Sequence, residues 1–133
     1  MIDFLQAVPA MPTKDIKRAS EFYSNNLGFS VAHEDDSFAS FTQGAVEIHL
    51  WLAADESWKA KVAFSPVCSG AESFLAGTAS CRVRVTDVDA LYDKLLPLKI
   101  VHANGNLDDK PWGDREFAVS DPDGNLLTFF QPL

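Results

Sequence analysis

Several groups of side chains in this sequence carry chemistry. Phe38 directly follows the acidic turn Asp35-Asp36-Ser37. The acids can attract a cationic small ligand, while the ring by itself reads as the core residue that starts a strand. Glu47, His49 and Trp51 alternate along one apolar segment, so a strand there puts all three on one face. Trp112 stands between Pro111 and Gly113 in a polar loop. Turn residues can hold such an indole out for stacking, a contact worth about 0.5–1.5 kcal/mol beyond buried area. Arg82 and Arg84 alternate in the same way on a second apolar segment. Their guanidinium groups oppose a cationic guest unless they pair with Glu47, Glu116 or another carboxylate, or unless the guest has an anionic end. Each group also has an ordinary reading. Glu34-Asp35-Asp36 is a solvated turn, His49 a satisfied histidine, Trp112 a seal on the core and Phe38 a strand-start core residue.

No Gly-x-Ser-x-Gly elbow or phosphate-cradling glycine motif occurs, and no Cys stands at a telling spacing from a His. Cys68 and Cys81 form no CxxC pair and read as reduced thiols packed as small hydrophobes. Nucleophilic catalysis therefore has no support.

The 133 residues suit one domain, with 47% hydrophobic and 23% charged residues as in ordinary globular proteins. Lys and Arg total 11 against 19 Asp and Glu, a formal charge of -8. That balance disfavours nucleic acid and anionic membranes, which need a basic footprint. The longest apolar run, Leu50 to Ala54, is too short to span a bilayer. No basic stretch precedes an apolar core near Met1, so cytoplasmic residence is the expectation.

The elements that must position these groups follow from periodicity. Phe4 to Ala10 reads as a strand ended by Pro9 and Pro12. Ile16, Ala19, Phe22, Tyr23 and Leu27 form one helical face, capped by Thr13 or Asp15 and closed by Gly28. Strands are expected over 29–33, 38–42 and 45–52, the last two a hairpin turning at Gln43-Gly44. Residues 53–78 read as a divergent loop with a short helical turn near Ala71 to Leu75, Trp51 and Trp58 bracketing its start. A strand at 80–85 precedes a second helix capped by Asp87, with the face Val88, Leu91, Tyr92, Leu95 and Leu98. Short strands follow at 100–103, 115–120 and 125–131, the last two joined by Asp121-Pro122-Asp123-Gly124.

The order β-α-β-β-β occurs twice, in units 1–52 and 79–133. Val8 and Ser80 lie 72 residues apart at matching points, and His49 and Thr128 lie 79 apart. The extra seven residues belong to the Trp112 loop. Two such units form an α+β fold, a curled sheet or half-barrel with a concave cavity. Alternation sends Val46, Ile48 and Leu50, and Cys81, Val83 and Val85, to the helix side. Glu47, His49, Trp51, Ser80, Arg82 and Arg84 face the cavity.

The chain resembles the vicinal oxygen chelate superfamily, the glyoxalase and bleomycin-resistance fold. The residues that carry the resemblance are Ala7-Val8-Pro9, Asp15-Ile16, Glu21-Phe22-Tyr23, Leu27-Gly28-Phe29, Pro111-Trp112-Gly113, Arg115-Glu116-Phe117-Ala118 and Asp121-Pro122-Asp123-Gly124-Asn125. Pro-Trp-Gly followed by Arg-Glu-Phe is similar to the bleomycin-binding resistance proteins.

This resemblance implies four metal-ligand positions, which fall on Val8, His49, Ser80 and Thr128. Only His49 is a usual ligand for zinc, nickel, manganese or iron, so neither a metal nor another cofactor is expected. The resemblance implies instead a cytoplasmic homodimer with exchanged N-terminal strands that binds and sequesters a cationic, planar bleomycin-type drug. Its expected binding residues are Phe38, Trp112, Gly113, His49, Trp51, Asp35 and Asp36. The absence of further aromatics beside Arg82 and Arg84 departs from those relatives. Two alternatives stand beside this reading: a metal-dependent lyase or dioxygenase of the same fold, and a binding module for another aromatic metabolite.

Overall fold

The computed structural model describes residues 1–53 and 76–133. The expectations for Trp58, Cys68 and the helical turn at Ala71 to Leu75 fall outside the described residues.

The first unit forms one four-stranded sheet of β1 (Ala10–Thr13), β2 (Ser30–Glu34), β3 (Phe38–Gln43) and β4 (Val46–Leu52), in the order β1-β4-β3-β2. The second forms another of β5 (Ser80–Arg84), β6 (Asp108–Asp109), β7 (Asp114–Ser120) and β8 (Leu126–Pro132), in the order β5-β8-β7-β6. Each sheet joins its first and last strands in parallel and the rest antiparallel. Ala10 lies opposite His49, and Arg82 lies opposite Thr128. The offsets between these pairs are again 72 and 79, so the register carries the expected duplication.

Helix α1 (Ile16–Glu21) covers the first sheet and α2 (Val88–Leu95) the second. Both start as the sequence predicts. Asp15 accepts from the Arg18 N–H at 3.1 Å, and Asp87 accepts from the Ala90 N–H at 3.0 Å. These bonds satisfy donors that a helix N-terminus otherwise leaves open. Ile16, Ala19, Phe22 and Tyr23 are buried, as the helical spacing requires. Past Glu21 the coil widens over Phe22–Asn26, and Gly28 takes the left-handed φ of 77° that ends it. Ile48, Leu50, Val83, Leu127 and Phe129 are buried, so strand alternation sorts the two faces as expected.

Four expectations are corrected. The first strand lies over Ala10–Thr13, not Phe4 to Ala10. Pro12 is tolerated within it because the Pro9 and Thr13 carbonyls accept from His49 and Ala53, so Pro12 faces away from β4 and its missing N–H breaks no ladder bond. Residues 100–103 make only the bridge Val101 to Val119, since the chain turns at Gly105 against Ala118 and resumes as β6. The hairpin turns at Gly44-Ala45 rather than Gln43-Gly44. Leu98 is 44% exposed, because α2 stops at Leu95 and Pro97 forces a tighter turn that ends with Lys99 at φ 59°.

Candidate functional site

The first sheet presents Phe38, Ser40, Glu47, His49 and Trp51 on the face opposite Ala39, Phe41, Ile48 and Leu50, which are fully buried. Cross-strand register sets Phe38 beside Trp51 and Ser40 beside His49. The Phe38 and His49 rings meet edge to face with centroids 5.1 Å apart. Glu47 Oε2 lies 2.5 Å from His49 Nε2. This carboxylate holds the imidazole in place.

The acidic turn before Phe38 has a defined shape. Asp35 Oδ1 accepts from the Ser37 N–H and the Phe38 N–H, each at 2.9 Å. His33 Nε2 lies 2.7 Å from Asp35 Oδ2. The hydrogen bond from His33, then the backbone donors, hold this carboxyl well below the usual carboxylate range. Asp35 is thus committed to holding Phe38 at the start of β3. Glu34 takes the Ser20 hydroxyl. Asp36 is exposed and has no partner among the described residues.

Trp112 lies on the other sheet, in the turn between β6 and β7, and is 62% exposed. The turn needs Gly113, whose φ is 94°. The Gly113 N–H donates to the Lys110 carbonyl at 3.0 Å, and its own carbonyl accepts from Leu133 at 2.9 Å. Arg115 donates to Asp89 on α2 at 2.7 Å and to Asp109 on β6 at 2.9 Å. These bonds raise the Arg115 pKa further and tie the Trp112 hairpin to the helix. The Arg115 role was not legible in sequence, since no local pattern marks a pair 26 residues apart. The structure brings Phe38, His49 and Trp51 together, with Asp35 and Asp36 at their edge. Trp112 and Gly113 belong instead to the turn between β6 and β7 of the second sheet.

Arg82 finds the carboxylates its position demands. Its Nη2 donates to Asp114 Oδ2 at 3.0 Å, its Nη1 lies 2.7 Å from Glu116 Oε2, and its guanidinium sits 4.5 Å above the Phe130 ring. One cation thus faces two acids. Arg84, exposed, has no partner among the described residues.

The donor set does not fit a divalent metal. Val8 has no donor atom, Ser80 and Thr128 offer neutral hydroxyls, His49 is engaged with Glu47, and the cation Arg82 stands opposite Thr128. Among the described residues no three His, Cys, Asp or Glu side chains come together as ligands. Burial pushes the Cys81 thiol up to about 11, which leaves little nucleophilic thiolate near neutrality.

Comparison with known proteins completes the picture. A family profile described as Glyoxalase/Bleomycin resistance protein/Dioxygenase superfamily matches residues 5–129. The chain is 51% identical to a bleomycin resistance protein of Staphylococcus aureus over 129 residues, 97% of this chain and 98% of that one. The same figures hold for a bleomycin resistance protein of Geobacillus stearothermophilus. The crystal structure of a bleomycin-binding protein from bleomycin-producing Streptomyces verticillus, complexed with copper(II)-bleomycin, superposes with a TM-score of 0.74 at 26% identity, covering 97% of both chains.

Proposed function

The chain belongs to the glyoxalase/bleomycin resistance protein/dioxygenase superfamily, and from that membership we propose that it binds and sequesters a bleomycin-type glycopeptide antibiotic, conferring resistance without making or breaking a bond. The observation that carries this reading is the 51% identity, over 97% of this chain, with bleomycin resistance proteins. The donor-poor centre supports it, because the lyases and dioxygenases of the fold need a metal that these side chains cannot grip. The two units act as one domain in the cytoplasm. No helix among the described residues is long and apolar enough to cross a membrane.

In this reading Phe38 and Trp112 are the stacking surfaces for the drug's flat rings. His49 and Trp51 wall the groove beside Phe38, Gly113 projects Trp112, Asp35 shapes the turn, and Asp36 attracts the cationic drug. Phe38 and Trp112 lie on different sheets, an arrangement suited to a groove completed by two chains. The N-terminal arm supports a homodimer by strand exchange. Ile2, Phe4 and Leu5 are 87%, 99% and 90% exposed ahead of β1. Apolar side chains so bare gain free energy by packing on a second copy.

Titration of the purified protein with bleomycin, read by tryptophan fluorescence and heat, tests the proposal. Saturable micromolar binding that survives chelator treatment is the expected result. Its absence in low salt, or turnover that needs an added transition metal, overturns the reading.

A further inference from the structure

The loop that carries Trp112 is braced symmetrically at its base. Asp109 stands three residues before the indole and Arg115 three residues after it. The two lie directly opposite each other across the β6–β7 pair, and Arg115 Nη1 donates to Asp109 Oδ1 at 2.9 Å. The same guanidinium turns its Nε towards α2 and donates to Asp89 Oδ1 at 2.7 Å. Arg115 shares its side of β7 with the buried Phe117 and Val119, so it faces the helix while Trp112 stands exposed at the tip. One planar group therefore fixes both the base of the hairpin and its tilt against the helix.

The rest of this edge is lightly built. β6 has two residues and is the outer strand of its sheet. The Lys110 N–H donates to the Asp114 carbonyl at 2.8 Å, and the Gly113 N–H donates to the Lys110 carbonyl at 3.0 Å. These bonds close the turn without anchoring it to the helix. Tyr92 on α2 reaches Asn106 Oδ1 at 3.3 Å, but Asn106 lies ahead of β6. Arg115 links α2 to the hairpin itself. Asp89 and Asp109 are exposed, so the two ion pairs contribute little to stability. What a guanidinium supplies is direction. Its donors lie in a fixed fork that can hold two acids at set angles, whereas a lysine ammonium is a single point on a flexible stem.

We propose that Arg115 is a positioning residue for drug binding: by bridging Asp109 and Asp89 it holds Trp112 in the orientation that stacks on the drug's flat rings. The proposal rests on the drug-binding reading and deepens it, because it names what aims the exposed ring. A hairpin free to swing presents the indole correctly for only a fraction of the time, and apparent affinity falls by that fraction. Arg115 itself touches no ligand, so its effect runs through Trp112.

Bleomycin titrations of Arg115→Lys, Trp112→Ala and the double variant test this. Arg115→Lys keeps the charge and loses the fork. It should weaken binding by about fivefold, with the melting temperature lowered by about 2 °C or less. In the Trp112→Ala background the same substitution should cost nothing further, since the two residues act as one unit. A second measurement needs no drug. In protein labelled with 5-fluorotryptophan, the Trp112 fluorine line, assigned by its loss in Trp112→Phe, should shift or broaden in Arg115→Lys. Unchanged affinity in Arg115→Lys, a loss that multiplies with that of Trp112→Ala, or a Trp112 line that stays in place overturns the positioning role while leaving drug binding intact. Failure of bleomycin to bind the unmutated protein overturns the drug-binding reading and this role with it.

Discussion

The Tyr23 hydroxyl, on the helical segment of the first unit, donates to Asp121 Oδ2 in the second unit at 2.9 Å. The two units are thereby fastened through a buried polar network. Asn125 Nδ2 donates to the same oxygen at 3.0 Å and to the Pro12 carbonyl at 2.8 Å. Asp121 Oδ1 accepts from the Asp123 and Asn125 N–H groups, each at 2.9 Å. Thr13 and Lys14, at the end of β1, bond Asp123. The Asp-Pro-Asp-Gly turn is therefore a clasp as well as a hairpin end. Burial pushes the Tyr23 hydroxyl far above its ordinary range, so it stays a donor.

Removing that donor should loosen the clasp. Tyr23→Phe is expected to cost about 1–2 kcal/mol, read as a lower urea midpoint at an unchanged slope. Burial also raises the Asp121 pKa above 3.8. The folded state thus holds its proton more tightly than the unfolded chain does. The contribution of this group to stability is full below the unfolded value and falls as pH rises through the raised folded value. Asp121→Asn removes the titration, so the stability gap between natural protein and variant should narrow from pH 4 towards neutrality. A gap that widens over that range contradicts the assignment.

Asp35 and Asp36 should respond differently to neutralisation. Asp35→Asn removes the acceptor that shapes the turn before Phe38, so stability and drug affinity fall together. Asp36→Asn leaves the fold intact and slows association at low salt by about twofold or more, an effect that disappears near 0.5 M salt. Stopped-flow association rates alongside thermal melts separate the two.

The two rings proposed to stack on the drug give a second contrast. Trp112 is exposed, so Trp112→Ala should weaken drug binding by about tenfold or more with little change in melting temperature. Phe38 packs on His49, so Phe38→Ala should lower both affinity and stability. Calorimetric titration beside thermal melts reads each pair of values.

Deleting residues 1–8 removes the exposed Ile2, Phe4 and Leu5 but leaves β1 and the core untouched. The truncated chain should remain folded and run as a monomer on a sizing column, with drug affinity reduced. A truncated dimer of full affinity argues against strand exchange.

Much of this protein is local and therefore legible in its sequence. The caps at Asp15 and Asp87 depend on residues three apart, and the turn at Asp121 to Gly124 on its own four residues. The faces of β4 and β5 follow from alternation, which placed His49 with Trp51 and Arg82 with Arg84. The duplication shows in two constant offsets, and the motifs shared with the bleomycin-binding relatives pointed to Phe38 and Trp112. Tertiary structure decided what depends on distance in space. Arg82 settles between Asp114 and Glu116 only because β5 and β7 flank β8. Tyr23 reaches Asp121 across 98 residues. The true first strand follows from which residues around Pro12 pair with β4, and apolar patterning carries no record of that. Local sequence sets propensity and facing, while burial and charge pairing are sums over the neighbours that folding assembles.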